Sequence, residues 1–281
     1  MQYLFLKLLP KNLFSRCMGF LADAQVPRPL LRSVINAYAS HYRIDLDEMK
    51  TPWERIRCFN DFFTRELKGG LRPIDPQPDS LTSPVDGALA EFGEIENRLL
   101  VQAKGIYYSL ADLVGEEESK TYEGGWFLTL YLSPADYHRI HTPFAGEVRR
   151  CSYFSGNLWP VNQLGVSQIG GLFAINERLY TPLETDLGTL GLVKVGATVV
   201  GKIKTTYNNL ESNQGADSQM DLPVSPSRAY AKGEELGRFQ LGSTVILLLP
   251  PGVFEPFELV QGMKLNMGQK LGSLQKVGAE S

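Results

Sequence analysis

From about residue 80 onward, short runs of β-branched and aromatic residues alternate with glycine, proline, asparagine and serine. Trp126 to Leu132, Leu192 to Lys204 and Ser243 to Leu249 are the clearest such runs. A chain punctuated in this way folds into sheets of short strands, since every Gly or Pro marks a turn that would break a helix. Glycine and proline together supply 44 of the 281 residues, which weighs against a helical bundle.

The first 75 residues read differently. Leu4, Phe5, Leu8, Leu9, Leu13, Phe14 and Met18 recur near helical spacing, with Lys7, Lys11 and Arg16 between them. Such a segment either lies in the headgroup region of an anionic membrane or docks on its own domain. A second helix is predicted from Leu30 to about His41, after the breaker Pro27-Arg28-Pro29. A third begins at Thr51-Pro52-Trp53-Glu54, carries Ile56, Phe59, Phe62 and Phe63, and stops at Gly69-Gly70. The expected architecture is α+β: amphipathic helices over residues 1–75, then a mostly β, barrel-sandwich-like core over residues 76–281.

Composition removes several function classes. An apolar fraction of 43% with 21% charged residues excludes wholesale disorder, and a net charge of −3 excludes a generally basic nucleic-acid binder. The charge is uneven, because Lys7, Lys11, Arg16, Arg28 and Arg32 face Asp23 alone and give residues 1–32 a local +4. No apolar run approaches the ~18 residues of a membrane span. Lys7 and Pro10 interrupt anything resembling a secretory signal, so synthesis and retention in the cytosol are expected. Cys17, Cys58 and Cys151 are odd in number and set among apolar or aromatic residues, as reduced packing cysteines are.

Two local patterns stand out. Pro84-Val85-Asp86-Gly87-Ala88-Leu89 and Pro143-Phe144-Ala145-Gly146-Glu147-Val148 share the form Pro-x-x-Gly-x-aliphatic, either as a duplicated strand-turn unit or as a chance recurrence in a turn-rich chain. Residues 208–228 are polar and rich in Ser, Asn, Asp and Pro, and read as a long surface loop that could serve as an active-site lid.

The chemistry-bearing residues are few. Of three histidines, His138 and His141 lie together in Ser133-Pro134-Ala135-Asp136-Tyr137-His138-Arg139-Ile140-His141, just past a predicted strand. Imidazoles exchange protons near neutral pH, so the pair could divide acid and base duties; a packing role or a zinc site are the other readings, zinc being disfavoured by the absence of His-Glu-x-x-His. His41 reads as a surface or interface residue. Asp86-Gly87 is either a plain turn pair or an acid placed to orient an imidazole. The candidate nucleophile is Ser243, which follows Gly242 at the start of the most apolar strand. No Gly-x-Ser-x-Gly elbow occurs, so an ordinary α/β-hydrolase is not expected. Gly242 leaves its carbonyl sterically open, and Ser243 could attack it in an amide-to-ester shift.

Together, Leu241-Gly242-Ser243-Thr244, Tyr137-His138-Arg139-Ile140-His141, Pro84-Val85-Asp86-Gly87 and Asn176-Glu177-Arg178 resemble the bacterial phosphatidylserine decarboxylase family. Phe59-Asn60-Asp61-Phe62-Phe63 and Arg72-Pro73-Ile74-Asp75 extend the resemblance over roughly residues 50–265. It implies a self-processing enzyme. Ser243 would attack Gly242, the ester would undergo β-elimination, and the serine remnant would become a covalent pyruvoyl group, with no metal required. His141 would be the base, Asp86 would hold its imidazole, and His138 would orient the substrate carboxylate or return a proton to the α-carbon. Cleavage between residues 242 and 243 would leave a large chain 1–242 and a small chain 243–281. The pyruvoyl would convert phosphatidylserine to phosphatidylethanolamine through a Schiff base, the electron-sink role that pyridoxal phosphate plays elsewhere. The resemblance further implies peripheral attachment to the cytoplasmic face of the bacterial cell membrane and suggests a homodimer. Two competing readings of the same residues are a non-catalytic barrel-sandwich carrier or binding module and a conventional Ser-His-Asp hydrolase, both of which keep the chain intact.

Overall fold

The computed structural model describes residues 11–103, 105–198, 202–208, 212, 219–240 and 243–276, with residues 11–14, 16 and 243 described by their backbone. Helices come first. Lys11–Asp23 (α1) and Arg28–Tyr42 (α2) are followed by the short Phe59–Phe63 (α3). The expected apolar positions Leu4, Phe5, Leu8 and Leu9 lie outside the described residues. In α2, Leu31, Ile35 and Ala39 recur every four residues and are buried; they join Met49, Ile56 and Phe62 in one small core. Pro29 sits in its first turn, and Arg43 ends the helix in the left-handed region with φ 57°.

The helix expected to run on from Thr51 is instead two pieces. A single 3₁₀ turn covers Trp53–Arg55, the chain extends through Cys58 (φ −147°, ψ 171°), and α3 starts at Phe59. The Asp61 carboxylate accepts the Arg57 N–H at 2.9 Å, an alternative to the helical ladder that halts propagation there. The break lets Ile56 and Phe62 both reach the α2 core, which one straight helix would not allow.

Among the described residues sixteen strands follow: Ser80–Thr82 (β1), Gly87–Glu94 (β2), Leu99–Ala103 (β3), Ile106–Ser109 (β4), Trp126–Leu132 (β5), Arg139–His141 (β6), Gly146–Phe154 (β7) and Arg178–Thr185 (β8), then Gly188–Val195 (β9), Lys202–Thr205 (β10), Gln219–Tyr230 (β11), Glu235–Gln240 (β12), Ser243–Leu249 (β13), Phe254–Pro256 (β14), Lys264–Leu265 (β15) and Lys270–Leu274 (β16). The largest sheet is antiparallel, in the order β11-β7-β8-β9-β13-β5-β2-β15; three smaller sheets are β1-β16-β14, β10-β12-β6 and β3-β4. None closes into a barrel, and the fold is the expected α+β arrangement of helices leading into a sheet-rich core.

β13 lies inside this sheet, paired on one side with β5 and on the other with β9. Val245, Leu247 and Leu249 enter the core on one face, and Ile246 and Leu248 enter the core on the other. Burial on both faces is why its sequence is a continuous apolar run without alternation.

The segment 208–228, expected to be a loop, is partly strand. Residues 219–230 form β11 on β7 at the sheet edge, and its side chains are mostly exposed between the buried Val224 and Tyr230. An edge strand with one wet face readily accommodates the polar composition and the prolines Pro223 and Pro226.

The two Pro-x-x-Gly units occupy equivalent places. Each forms a bend and then opens a strand at its glycine, β2 at Gly87 and β7 at Gly146. They also clasp one another: the Thr82 N–H donates to Pro143 O at 3.0 Å, and the His141 N–H donates to Pro84 O at 2.8 Å. In each case the donor is the residue two before one proline and the acceptor is the other proline. A Cβ on Gly87 would lie 2.4 Å from Tyr131 O, and one on Gly146 would lie 2.6 Å from Glu184 O, so both strand starts need glycine.

Gly87→Ala should therefore destabilise the protein by about 1–3 kcal/mol, since a backbone carbonyl must move to admit the methyl group. Gly69→Ala, with no atom within 4 Å, is the control and should stay within about 0.5 kcal/mol. Urea unfolding of the two variants measures the difference; equal midpoints would contradict the close approach.

Candidate active site

The reciprocal hydrogen bonds between the Pro84 and Pro143 turns bring Asp86 and His141 into one neighbourhood, although 55 residues separate them. Their side chains do not bond to each other. Asp86 is buried and accepts from Arg72 in a fork, Nε at 2.9 Å to Oδ1 and 2.8 Å to Oδ2, with Nη2 at 2.7 Å from Oδ2. The Met267 N–H adds a bond of 2.8 Å to Oδ1. Arg72 also reaches Glu48 at 3.5 Å, so one guanidinium ties the helical region to the acid.

His141 is partly buried. Its Nδ1 donates to Gly233 O at 2.9 Å, and the Tyr137 hydroxyl lies 3.2 Å from Nε2. A carbonyl can only accept, so Nδ1 carries the proton and Nε2 carries the lone pair. Burial pushes the His141 pKa down, while the Gly233 carbonyl, Glu235 and Asp86 pull it up. The imidazole is a neutral base at neutral pH.

His138 is fully buried. Its Nδ1 donates to Asp136 O at 2.7 Å, its ring packs 4.2 Å from that of Phe63, and its Nε2 has no partner among the described residues. Burial drives its pKa down to about 3, and nearby Arg65 repels a second positive charge. An unpaired buried nitrogen is costly in a structural residue and useful in a reactive one.

Ser243 begins β13 opposite Leu132, the last residue of β5. Four residues earlier in the chain, the Phe239 N–H donates to His138 O at 3.0 Å. The loop that follows Leu132 and carries Tyr137 and His138 thus runs beside Phe239 of β12. Gly242 lies outside the described residues.

An open cavity of about 550 Å³ abuts this point. Met18, Leu21 and Ala22 of α1, Val34, Tyr38 and Tyr42 of α2, Phe59 and Phe63 of α3, and Tyr131, Leu132 and Pro134 form most of its wall. The lining is apolar almost throughout, and the β5 residue paired with Ser243 belongs to it. A ligand with a long apolar body and a reactive polar end fits such a space. Among the described residues, no group of three or more His, Cys, Asp or Glu side chains is placed to hold a metal ion.

The family profile described as phosphatidylserine decarboxylase matches residues 59–273, more than half the chain and a span that includes Arg72, Asp86, His138, His141 and Ser243. The chain belongs to the phosphatidylserine decarboxylase family. It is 45% identical to the phosphatidylserine decarboxylase proenzyme of Brevibacillus brevis over 269 residues, covering 94% of this chain and 95% of that protein. The Anaeromyxobacter sp. proenzyme is also 45% identical, over 95% of this chain and 96% of its own length, and that of Myxococcus xanthus is 41% identical over 88% of each.

Several residues of this decarboxylase-family site escaped the reading of the sequence as chemistry. Arg72 and Ile74 sit in a motif noted only for its resemblance, and Tyr137 in the histidine motif; Gly233 carries no signal beyond its type. Asn176-Glu177-Arg178 proves to be a brace. Asn176 Nδ2 donates to Gly196 O and to Trp159 O, both at 2.9 Å, and Glu177 O accepts the Gly196 N–H at 2.8 Å. These contacts fix the end of β9, whose Val195 pairs with Thr244. Arg178 donates to the carbonyls of Leu113 at 2.6 Å and Asn176 at 3.1 Å and also bonds Ala174 O and Asp112 O, satisfying carbonyls of two short helices.

His138 has a consequence for stability. Between its folded pKa of about 3 and the ordinary value near 6.5, the unfolded chain binds a proton that the folded chain does not. Its stabilising contribution is full above about pH 6.5 and is lost as pH falls toward 3. In a Ser243→Ala background, urea midpoints should drop more steeply from pH 7 to 4 with His138 than with His138→Phe; identical slopes would contradict a neutral buried imidazole.

Proposed function

We propose that this chain decarboxylates phosphatidylserine to phosphatidylethanolamine, and that it first makes its own prosthetic group by cutting itself between Gly242 and Ser243. The observation that carries this reading is the meeting of the apolar cavity with the strand position opposite Ser243, beside a neutral imidazole whose Nε2 is free. Family membership, and relatives named as phosphatidylserine decarboxylase proenzymes, support the same conclusion.

In the first stage the Ser243 hydroxyl attacks the Gly242 carbonyl carbon while His141 accepts its proton. The peptide C–N bond then breaks, the amine of residue 243 leaving with the proton that His141 returns, and an ester joins Gly242 to the Ser243 oxygen. Loss of the α-proton and of the Gly242 carboxylate by β-elimination then leaves a dehydroalanine, which hydrolyses to pyruvoyl and ammonia. Asp86 and Glu235 are the anions that favour the imidazolium formed on His141.

In the second stage, a pyruvoyl ketone would take the substrate amine and accept the electron pair released with carbon dioxide, a sink that ordinary side chains lack. The residues present suit that group: a serine position at the start of β13, an apolar wall beside its partner Leu132, and a His138 Nε2 that has no partner among the described residues. His138, neutral at rest, must gain a proton before it can give one. The substrate ammonium, which must lose a proton to react as an amine, can supply it, and His138 then returns it to the α-carbon.

The lipid would enter from a membrane surface. Phe20, Leu21, Leu30 and Val34 are exposed by 46–76% along α1 and α2, beside the cavity mouth. Together with the local +4 charge of residues 1–32, they suit peripheral attachment to an anionic bilayer on the cytoplasmic side. No described helix is long and apolar enough to cross a membrane.

Intact-mass analysis with a carbonyl-reactive probe tests the first stage. The wild type should yield fragments 1–242 and 243–281, the latter labelled, and Ser243→Ala should remain one unlabelled chain; a single wild-type chain carrying serine would refute self-processing. Liposome flotation tests the membrane reading. Lys7, Lys11 and Arg16→Glu together should release the protein from anionic vesicles and leave cleavage intact, whereas unchanged binding would favour a helix that merely docks on its own domain.

A further inference from the structure

We propose that two duties commonly joined in the acidic partner of a catalytic histidine are divided here: the Gly233 carbonyl orients the His141 imidazole and fixes its tautomer, while Asp86 contributes charge without touching the ring. This rests on the reading of His141 as the base for self-cleavage.

The hydrogen bonds leave little alternative. His141 Nδ1 meets Gly233 O at 2.9 Å, which obliges Nδ1 to hold the proton and presents the Nε2 lone pair to the Tyr137 hydroxyl. The Asp86 oxygens are already engaged by Arg72 and by the Met267 N–H. A carboxylate bonded directly to Nδ1 would raise the basicity of the ring and favour its protonated form. A peptide carbonyl orients the ring more gently and keeps the lone pair available at neutral pH.

Gly233 is itself held on several sides. Its φ is +80°, its N–H donates to Thr142 O at 2.8 Å, and the Thr142 hydroxyl donates to Ala231 O at 2.5 Å while accepting the Glu234 N–H at 3.1 Å. Ile74 closes the remaining side, because a Cβ on Gly233 would fall 2.0 Å from Ile74 Cδ1. Ile74 and Arg72 belong to the same tetrapeptide, Arg72-Pro73-Ile74-Asp75, and the Asp75 N–H anchors it to Gly268 O at 2.9 Å. One strap therefore clamps Asp86 with its arginine and backs the His141 acceptor with its isoleucine. The other charged groups acting on the ring are Glu235 and Arg139, which pair with each other at 2.6 Å.

The test uses the full chain with ¹⁵N-labelled histidine, whose three imidazoles give few ring signals. Spectra are taken in a Ser243→Ala background, and cleavage is followed on gels with Ser243 present. Asp86→Asn should keep His141 in the single Nδ1-protonated tautomer yet cleave at least tenfold more slowly. Gly233→Ala, strained by its φ and by Ile74, should show a mixture of tautomers. Ile74→Ala, which removes the backing without strain, should show partial mixing and serves if Gly233→Ala does not fold. A tautomer change in Asp86→Asn, or a wild-type spectrum in folded Gly233→Ala, would overturn the division of roles. A wild type that never cleaves would sink the self-processing reading instead, and the spectra would still report the tautomer.

Discussion

Two backbone hydrogen bonds, from Thr82 to Pro143 and from His141 to Pro84, organise the candidate site. Each belongs to one Pro-x-x-Gly turn and ends on the other, so the two turns fix each other's position. Their glycines then let neighbouring strands pass within van der Waals limits that any side chain would violate. Asp86 comes from one turn and His141 leads into the other. Neither residue is positioned by its own side chain alone; the paired backbones set their separation, and Arg72 and Gly233 set their orientations.

Burial determines what each imidazole can do. His138 has one nitrogen bonded and one free in a dry setting, which holds it neutral far below ordinary pH. His141 has both nitrogens engaged and carboxylates nearby, so it can accept a proton at smaller cost. Two histidines three residues apart thus have distinct proton chemistry, because His138 is fully buried in the loop before β6 whereas His141, at the end of β6, is only partly buried.

Much of this was legible in the sequence. The strand Trp126–Leu132 and the apolar run from Ser243 to Leu249 stand where their composition placed them, since a β-branched or leucine-rich run bounded by turn residues has few other solutions. Asp86, His138, His141 and Ser243 could be singled out as candidates by scarcity, by turn context and by family resemblance, and the structure brings Asp86 and His141 into one neighbourhood through the paired turns. What was not legible depends on tertiary contacts. The helix expected after Thr51 breaks at Cys58 because the Asp61 side chain competes for the Arg57 N–H, and the polar stretch after residue 208 becomes in part an edge strand because β7 offers it a ladder. Gly233 was invisible as a functional position because its role lies in a backbone carbonyl, which every residue possesses.

The placement of β13 bears on what a cut before Ser243 would do to the molecule. The 39-residue piece 243–281 would retain β13, the strand bonded on both sides within the eight-stranded sheet, along with β14, β15 and β16. Pulling it free would strip two hydrogen-bonded ladders and open both cores at once, so the fragments would behave as an interlocked complex that unfolds as one body. Proteolytic nicking elsewhere usually loosens a domain, but here the scissile bond would lie at the end of a strand whose partners hold it regardless of the covalent link. Maturation could then change the chemistry at one terminus while leaving the mechanical integrity of the sheet to its remaining contacts.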